Sequence, residues 1–443
     1  MPPPPHLTAA QLAKQAERKA AKLARKAASG AANSVPSAEE LEKRRIIKRE
    51  WMNLGPSSEG KRTAQIVTWN MLAQTLVRRD LFPGSDCLRW GDRKALLQAE
   101  METHAQSDVI CLQECDRLDD VLGSVPDHRP VSARGVGKLH GLVVLYRASR
   151  FYIRSQRAVS LDDEELSPNA ATGVARRGVS RQTRNMALIV ALEENEDKGN
   201  GIVVVTTHFL NTSARARSSC SSVLSAGFKK RKVASRGQSS LLEPAETTYQ
   251  LLAAPSTPLH PSLVESFNAS RLRHTSVEKV GVASSEPPSE AASGTATPEA
   301  KDKDDEDELP DKDERSIANT RDPVPADGIL TLDQLLELGR ELLTEPARSA
   351  YDSSKYGDET YGSRGGFQKG VTGAGAGEPA YTCYTPLFKL TLDYLFLLPP
   401  GAASRAEFTR LLVPPETKEL GNGLPRKGIS ASDHLPVGCE IAW

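Results

Sequence analysis

Several apolar stretches in this 443-residue sequence carry a polar residue of a type that does chemistry at or near their ends. Asn70 follows IVTW, Glu114 follows VICLQ and His208 follows VVVTT. Asp393 sits inside LTLDYLF, and Asp433 and His434 stand just before LPVGCEI. One Asp or His in such a place is ordinarily a cap, a turn or a surface residue. Together they are the set that metal-assisted phosphodiester hydrolysis needs. A hard cation such as Mg²⁺ takes oxygen ligands, one or two carboxylates with waters and substrate phosphate, and Glu114 with the amide oxygen of Asn70 supplies that type of site. The metal would polarise a phosphoryl oxygen and stabilise the leaving alkoxide. Asp393 would fix the tautomer and orientation of His434, whose ordinary pKa lies close to working pH. His208 would add positive charge beside the phosphate.

The elements that must position these residues read as an α/β domain. TAQIVTW is a strand by its β-branched content, and DVICLQ is a short continuous apolar run of the kind buried on both faces. Between them DRKALLQAEMETHA has helical spacing, opened by Asp92. Further strands are expected at 141–146, 186–193, 201–207, 390–398 and 408–413, and an amphipathic helix over 329–346, closed by Pro346. Strands alternating with helices predict mixed sheets flanked by helices, and reactive side chains then collect where strands meet loops.

Composition limits the rest. Charge balances at 57 Lys+Arg against 57 Asp+Glu, so any electrostatic partner is met locally. No apolar run approaches the roughly 18 residues of a membrane span, and the MPPPPH start has no signal-peptide core. Six cysteines without a C-x-x-C pair suit a reducing compartment, with no disulfide and no structural zinc site expected. Residues 1–60 read as a basic tail, with 11 Lys/Arg against 5 Asp/Glu in the first 50 and a helix-forming stretch that Thr8 could cap. The domain, 61–443, is interrupted twice: at 209–242, with 9 serines, 7 Lys/Arg and no acid, and at an acidic linker, 281–325. Residues 351–378, rich in Gly, Ser and Tyr, read as a loop. The location expected is cytoplasmic or nuclear; KKRK at 229–232 resembles a nuclear signal.

The ordered motifs resemble a known family. WNMLAQ (69–74), VICLQE (109–114), KLHGLVVLYR (138–147), RNMALIVAL (184–192), VVVTTH (203–208), LDYLF (392–396) and SDHLPV (432–437) look like those of the endonuclease/exonuclease/phosphatase superfamily. WNMLAQ is nearest the deadenylase-like branch, which includes nocturnin, the carbon-catabolite-repressor deadenylases and the fungal Ngl-type RNA exonucleases. The matches cover about 63–208 and 380–443, roughly half the chain. The resemblance implies a four-layer α/β sandwich, dependence on Mg²⁺ or Mn²⁺, and 3′ to 5′ hydrolysis of RNA, often at poly(A) 3′ ends. It implies metal binding by Asn70, Glu114 and Asp433, phosphate contact by His208, the Asp393–His434 pair as the proton-transfer couple, and Asn185 near the substrate.

One departure bears on activity. The family places a G-D-F-N element after the TTH strand; its Asp acts on the attacking water and its Asn binds phosphate. Here the corresponding stretch is GQSSLL, with Ser239 and Leu241 where Asp and Asn are expected. The helix and central strand that precede the element are expected to be missing as well, since 209–242 lacks both periodicities. A translated intron, a misjoined exon and a natural pseudoenzyme would each produce such a run. The leading reading is therefore an RNA exonuclease impaired in this chain. The alternatives are a phosphatase of a small phosphorylated metabolite and a catalytically dead RNA-binding or scaffold protein.

Overall fold

Within a strand, side chains alternate between two faces, so a strand whose every residue is apolar can lie only in a sheet covered on both sides. The computed structural model of the chain is built on this arrangement. It describes residues 37–55, 60–167, 169–178, 184–209, 219–226, 247–274, 320–343, 345–352, 366–369, 375–398 and 406–443. The chain divides into two compact units, Met1–Arg44 and Arg45–Trp443. The described part of the first is the helix Ala38–Lys43, whose end is closed by a reciprocal pair: Glu40 N–H donates to Ser37 Oγ and Ser37 N–H to the Glu40 carboxylate.

The second unit holds two large mixed sheets. Numbered in chain order, the strands are β1 Trp51–Asn53, β2 Thr63–Asn70, β3 Val109–Cys115, β4 His128–Ala133, β5 Gly141–Arg147, β6 Phe151–Ser160, β7 Met186–Glu194, β8 Gly201–Phe209 and β9 Ser219–Ala226. They continue with β10 Arg273–His274, β11 Thr320–Arg321, β12 Arg348–Ser349, β13 Cys383–Tyr384, β14 Lys389–Leu390, β15 Asp393–Leu398, β16 Glu407–Leu412 and β17 Val437–Ala442. The first sheet runs β1-β16-β17-β2-β3-β5-β4 and the second β12-β15-β9-β8-β7-β6; β10 with β11 and β13 with β14 form small pairs.

Alternation decides the layers. Ile66, Val109, Leu142 and Val144 of the first sheet share a core with Leu188, Val190, Val204, Leu395 and Leu397 of the second. The neighbouring residues Ile110, Leu112, Val143 and Leu145 turn outward onto Leu96, Leu97 and Met101 of the helix Trp90–Thr103. On the far side Tyr394 and Phe396 pack with Tyr249 and Ala253 of the helix Thr247–Ala253. Helix, sheet, sheet, helix is the four-layer α/β sandwich that the motifs imply. Truncating one of these buried Leu or Ile side chains to Ala costs about 2–5 kcal/mol.

Three expectations are corrected. The 209–242 stretch, expected to hold no strand, does place one at the centre of the second sheet: β9 lies between β8 and β15, antiparallel to the first and parallel to the second, and ends at Ala226, level with Ile202 and away from His208. Its composition is poor for a strand, but a neighbour on each side gives its backbone N–H and C=O groups a ladder, and tertiary context overrides β-propensity. Trp51–Asn53, placed with the basic tail on composition, is an edge strand on β16. The amphipathic helix is shorter than its pattern: it runs Leu332–Leu342, opened by Thr331, whose Oγ1 accepts from Gln334 N. The basic helix opened by Thr8, the 229–232 run, Gly237–Leu242 and most of 281–325 lie outside the described residues. Among the described residues no helix is long and apolar enough to cross a membrane.

Candidate active site

β2 and β3 run parallel, with Asn70 level with Gln113, so both strands deliver their ends to one edge of the sheet. Asn70 stops its strand through its own side chain. Its Oδ1 accepts from Leu72 N–H at 3.0 Å, a turn that holds Leu72 at φ +56°. Asn70 Nδ2 donates to Glu114 Oε1 at 3.0 Å, and Ala73 N–H donates to Glu114 Oε2 at 3.2 Å. Glu114 reaches these partners because the β3–β5 register slips between Leu112 and Cys115, and Glu114 itself adopts φ +53°. A bulge of this kind re-aims a side chain, and a left-handed glutamate costs energy that the surroundings must supply.

The surroundings are polar and buried. Arg93, on the helix Trp90–Thr103, donates to the carbonyls of Met71, Leu72 and Ala431 and to Gln74 Oε1, at 2.6–2.9 Å. It thereby clamps the turn after Asn70 to the segment that carries Asp433 and His434. Gln113 Nε2 donates to Thr68 Oγ1 and to Thr206 Oγ1, which stitches the two sheets together beneath the site.

From the second sheet, His208 at the end of β8 brings Nε2 to 3.3 Å from Glu114 Oε1. His140 faces it, the ring centroids 6.5 Å apart, and burial pulls the His140 imidazole below its ordinary range. Lys138 Nζ donates to Asn185 Oδ1 at 3.0 Å and is likewise held below the lysine range by burial. Arg184, next to Asn185, also adopts positive φ, +53°. A Cβ at Gly135 would lie 2.1 Å from Arg184 O, so only glycine lets the 133–141 loop lie against this turn.

Asp393 opens β15, and its Oδ2 lies 2.6 Å from His434 Nδ1. Thr382 Oγ1 accepts from the N–H groups of Leu392 and Asp393, while Tyr384 N–H donates to Asp433 O and Leu435 N–H to Thr382 O. The 382–384 segment therefore holds both members of the pair. Two bonds tie it to β2: Trp69 Nε1 donates to His434 O at 3.0 Å, and Ser432 Oγ donates to Asn70 O at 2.7 Å. The structure thus brings Asn70, Glu114, His208, Asp393, Asp433 and His434 together across 365 positions of sequence, with Asn185 joined through Lys138.

Electrostatics follow from the geometry. Burial by itself would raise the Glu114 carboxyl, but the His208 imidazole, the Asn70 amide and the charge of His434 hold it well below the carboxylate range. Burial raises Asp433, and the negative charge of Glu114 adds to it against His434. Burial would lower His434, yet Asp393, with Cys383 and Asp433, carries it well above the ordinary histidine value. Two neighbouring carboxylates, with the charge of Glu114 raising Asp433, form an oxygen pair that a hard cation would neutralise, while Asn70 turns its amide N–H to Glu114 and its oxygen to Leu72 N–H. A different donor set also occurs: one ligand atom each from Cys383, Asp433 and His434 lie within 4.8 Å of one another.

Arg93, Gln113, Lys138, His140 and Cys383 were not singled out from sequence. Lys138 and His140 lie in KLHG, just before β5, so their place at a strand start was a usable signal. Arg93 looks like any exposed helix charge until its carbonyl partners are seen.

No family model matches the chain. Curated relatives do. A probable RNA exonuclease, C9B6.11c of Schizosaccharomyces pombe, is 29% identical over 218 residues, covering 46% of this chain and 41% of that protein. The probable RNA exonuclease NGL3 of Saccharomyces cerevisiae is 32% identical over 152 residues, 32% of this chain and 28% of that one. Mouse 2′,5′-phosphodiesterase 12 is 28% identical over 160 residues, 32% and 26% of the two chains. The matched part of this chain spans less than half the length of each of these relatives. Among solved structures, ANGEL2, a 2′,3′-cyclic phosphatase in complex with adenosine-2′,3′-vanadate, is similar at 17% identity and a TM-score of 0.43, over 90% of this chain and 99% of that one.

Proposed function

We propose that this chain, which belongs to the deadenylase-like branch of the endonuclease/exonuclease/phosphatase superfamily, is of a metal-dependent 3′ to 5′ RNA exonuclease lineage. The observation that carries the reading is the buried Asp393–His434 pair, 2.6 Å apart and tied through Trp69 and Ser432 to the strand that ends in Asn70.

Glu114, Asn70 and Asp433 would hold Mg²⁺, or Mn²⁺, which would supply Lewis-acid stabilisation of charge on the phosphoryl and leaving oxygens. Asp393 keeps a proton on His434 Nδ1 and leaves Nε2 to exchange one with a reacting oxygen; carboxylate behind imidazole is the usual arrangement for proton transfer. His208, beside Glu114, offers an N–H to a non-bridging phosphate oxygen. Lys138 and Asn185 form a second polar pair on the same edge, suited to the sugar or phosphate of the terminal nucleotide.

The same reading makes this chain a poor catalyst. Ser239 and Leu241, in place of the Asp and Asn of G-D-F-N, can neither orient an attacking water nor bind phosphate with an amide. Loss of one such group typically costs about 10²–10⁴ in rate. The test is a 5′-labelled RNA ending in adenosines, incubated with Mg²⁺, beside a nucleotide 2′-phosphate as the competing substrate. Slow shortening of the RNA from its 3′ end, abolished by His434→Ala, is expected. Turnover of the 2′-phosphate alone would replace the nuclease reading with the phosphatase one.

A further inference from the structure

Cys383 has no part in the chemistry above, yet its thiol points at it. Its Sγ, a carboxylate oxygen of Asp433 and a ring nitrogen of His434 are mutually within 4.8 Å, and Cys383 and His434 face each other as an isolated antiparallel bridge. We propose that this trio is a site for a thiophilic divalent cation, Zn²⁺, whose binding takes His434 and Asp433 out of catalysis.

The donor chemistry separates this site from that of a hard cation. One sulfur, one nitrogen and one oxygen make a set that Zn²⁺ takes readily, whereas Mg²⁺ keeps to oxygen. With Zn–S about 2.3 Å and Zn–N about 2.0 Å, tetrahedral ligands stand roughly 3.5 Å apart, so the three atoms, mutually within 4.8 Å, have to close up on binding. Three ligands with a fourth position for water describe an open zinc site.

The surroundings favour it further. Asp393 holds His434 Nδ1, which leaves Nε2 for an ion, and a carboxylate behind an imidazole fixes the ring and strengthens the ligand. The backbone of all three ligands is pinned, Tyr384 N–H to Asp433 O at 2.9 Å and Leu435 N–H to Thr382 O at 2.7 Å, so little order has to be gained on binding. Asp433, at 9% exposure, is the least buried of the three and gives the ion its way in. Binding releases two protons to solvent, the thiol proton of Cys383, which burial holds firmly, and the Nε2 proton of His434, and leaves a thiolate and a neutral imidazole on the metal.

The inhibition rests on the reading of His434 as the proton-transfer residue; the binding does not. The direct test uses Co²⁺ as a spectroscopic stand-in on the reduced chain of 443 residues in millimolar Mg²⁺. One equivalent should raise a thiolate-to-cobalt charge-transfer band and tetrahedral visible bands, both removed by one equivalent of Zn²⁺. Cys383→Ser should abolish the charge-transfer band, Asp433→Asn should weaken binding at least tenfold, and Cys87→Ser should change neither; each variant's thermal midpoint checks that it folds. Absence of the band, or its survival in folded Cys383→Ser, overturns the site. Zn²⁺ should also stop RNA shortening by the unmodified chain but not by Cys383→Ser. A chain that binds Co²⁺ through Cys383 yet shortens RNA equally with and without Zn²⁺ overturns the inhibitory role and leaves the site standing.

Discussion

His208 and Asp393 stand level in the second sheet with one residue between them: Cys220 of β9 is the register partner of both. At the usual strand spacing this sets their backbones about 10 Å apart, near enough for both side chains to serve one phosphate. The serine-rich segment that looked foreign to the fold thus provides the spacer between two candidate site residues. It does so as an antiparallel partner of β8, so Ala226, its last residue, lies level with Ile202 at the opposite end from His208.

That arrangement can be tested through the backbone alone. Ser222 is paired with Thr206 on one side and Leu395 on the other. Ser222→Pro removes a ladder N–H from the middle of the sheet and should cost at least about 1–3 kcal/mol through the carbonyl it orphans. A lowered urea midpoint with an unchanged slope is expected. An unchanged midpoint would mean that β9 contributes nothing to the sheet.

How far the sequence was legible follows strand position. β2, β3, β5, β7 and β8 are interior strands with near-continuous apolar runs, and they read correctly. β1, β4, β6 and β12, which were missed, all lie at sheet edges. There one side faces solvent, so β6 carries Arg154, Gln156 and Arg157, and β4 tolerates Pro130. β9 is interior but has almost no apolar pattern, and its neighbours supply what its composition does not. The candidate site residues were legible because they are polar at strand ends. The left-handed turn at Glu114 was not, because a glutamate carries no sign of positive φ.

Arg93 should prove a structural linchpin of the site. Arg93→Met keeps the bulk of the side chain but leaves the carbonyls of Met71, Leu72 and Ala431 without their donor. A loss of about 1–3 kcal/mol for each carbonyl left unsatisfied is expected, read as a drop in melting temperature. A variant as stable as the parent would show that water replaces the guanidinium without cost.

Away from the site, Glu378 makes stability fall with pH. Burial raises its carboxyl to about 8, against hydrogen bonds from Ser349 and Tyr249 and with the charge of Asp352 adding to the rise. Because the folded-state pKa lies above the unfolded value of 4.5, the unfolded chain releases this proton first. The contribution is therefore complete below about pH 4.5 and is lost as pH rises toward about 8. Glu378→Gln cannot ionise and should flatten the stability profile in that window, with the largest gain at pH 8. Equal pH slopes for the two proteins would show that Glu378 ionises freely in the fold.

Glu114 is the test of the hard-cation reading. A ligand that binds only the folded chain raises its stability by mass action, so Mg²⁺ should raise the melting temperature of the parent and leave Glu114→Gln unmoved. If the two shift equally, Mg²⁺ is held elsewhere.

The proposed reading is of a site that is assembled but lacks the group that orients water. The measurement is the initial rate of shortening of one labelled RNA ending in adenosines, in Mg²⁺, by the unmodified chain and by a version with 209–242 rebuilt to contain G-D-F-N. Each is paired with its His434→Ala variant. The rebuilt chain should be faster by at least about 10²-fold, and His434→Ala should abolish the gain. Equal rates for the unmodified and rebuilt chains, both lost on His434→Ala, would contradict that reading.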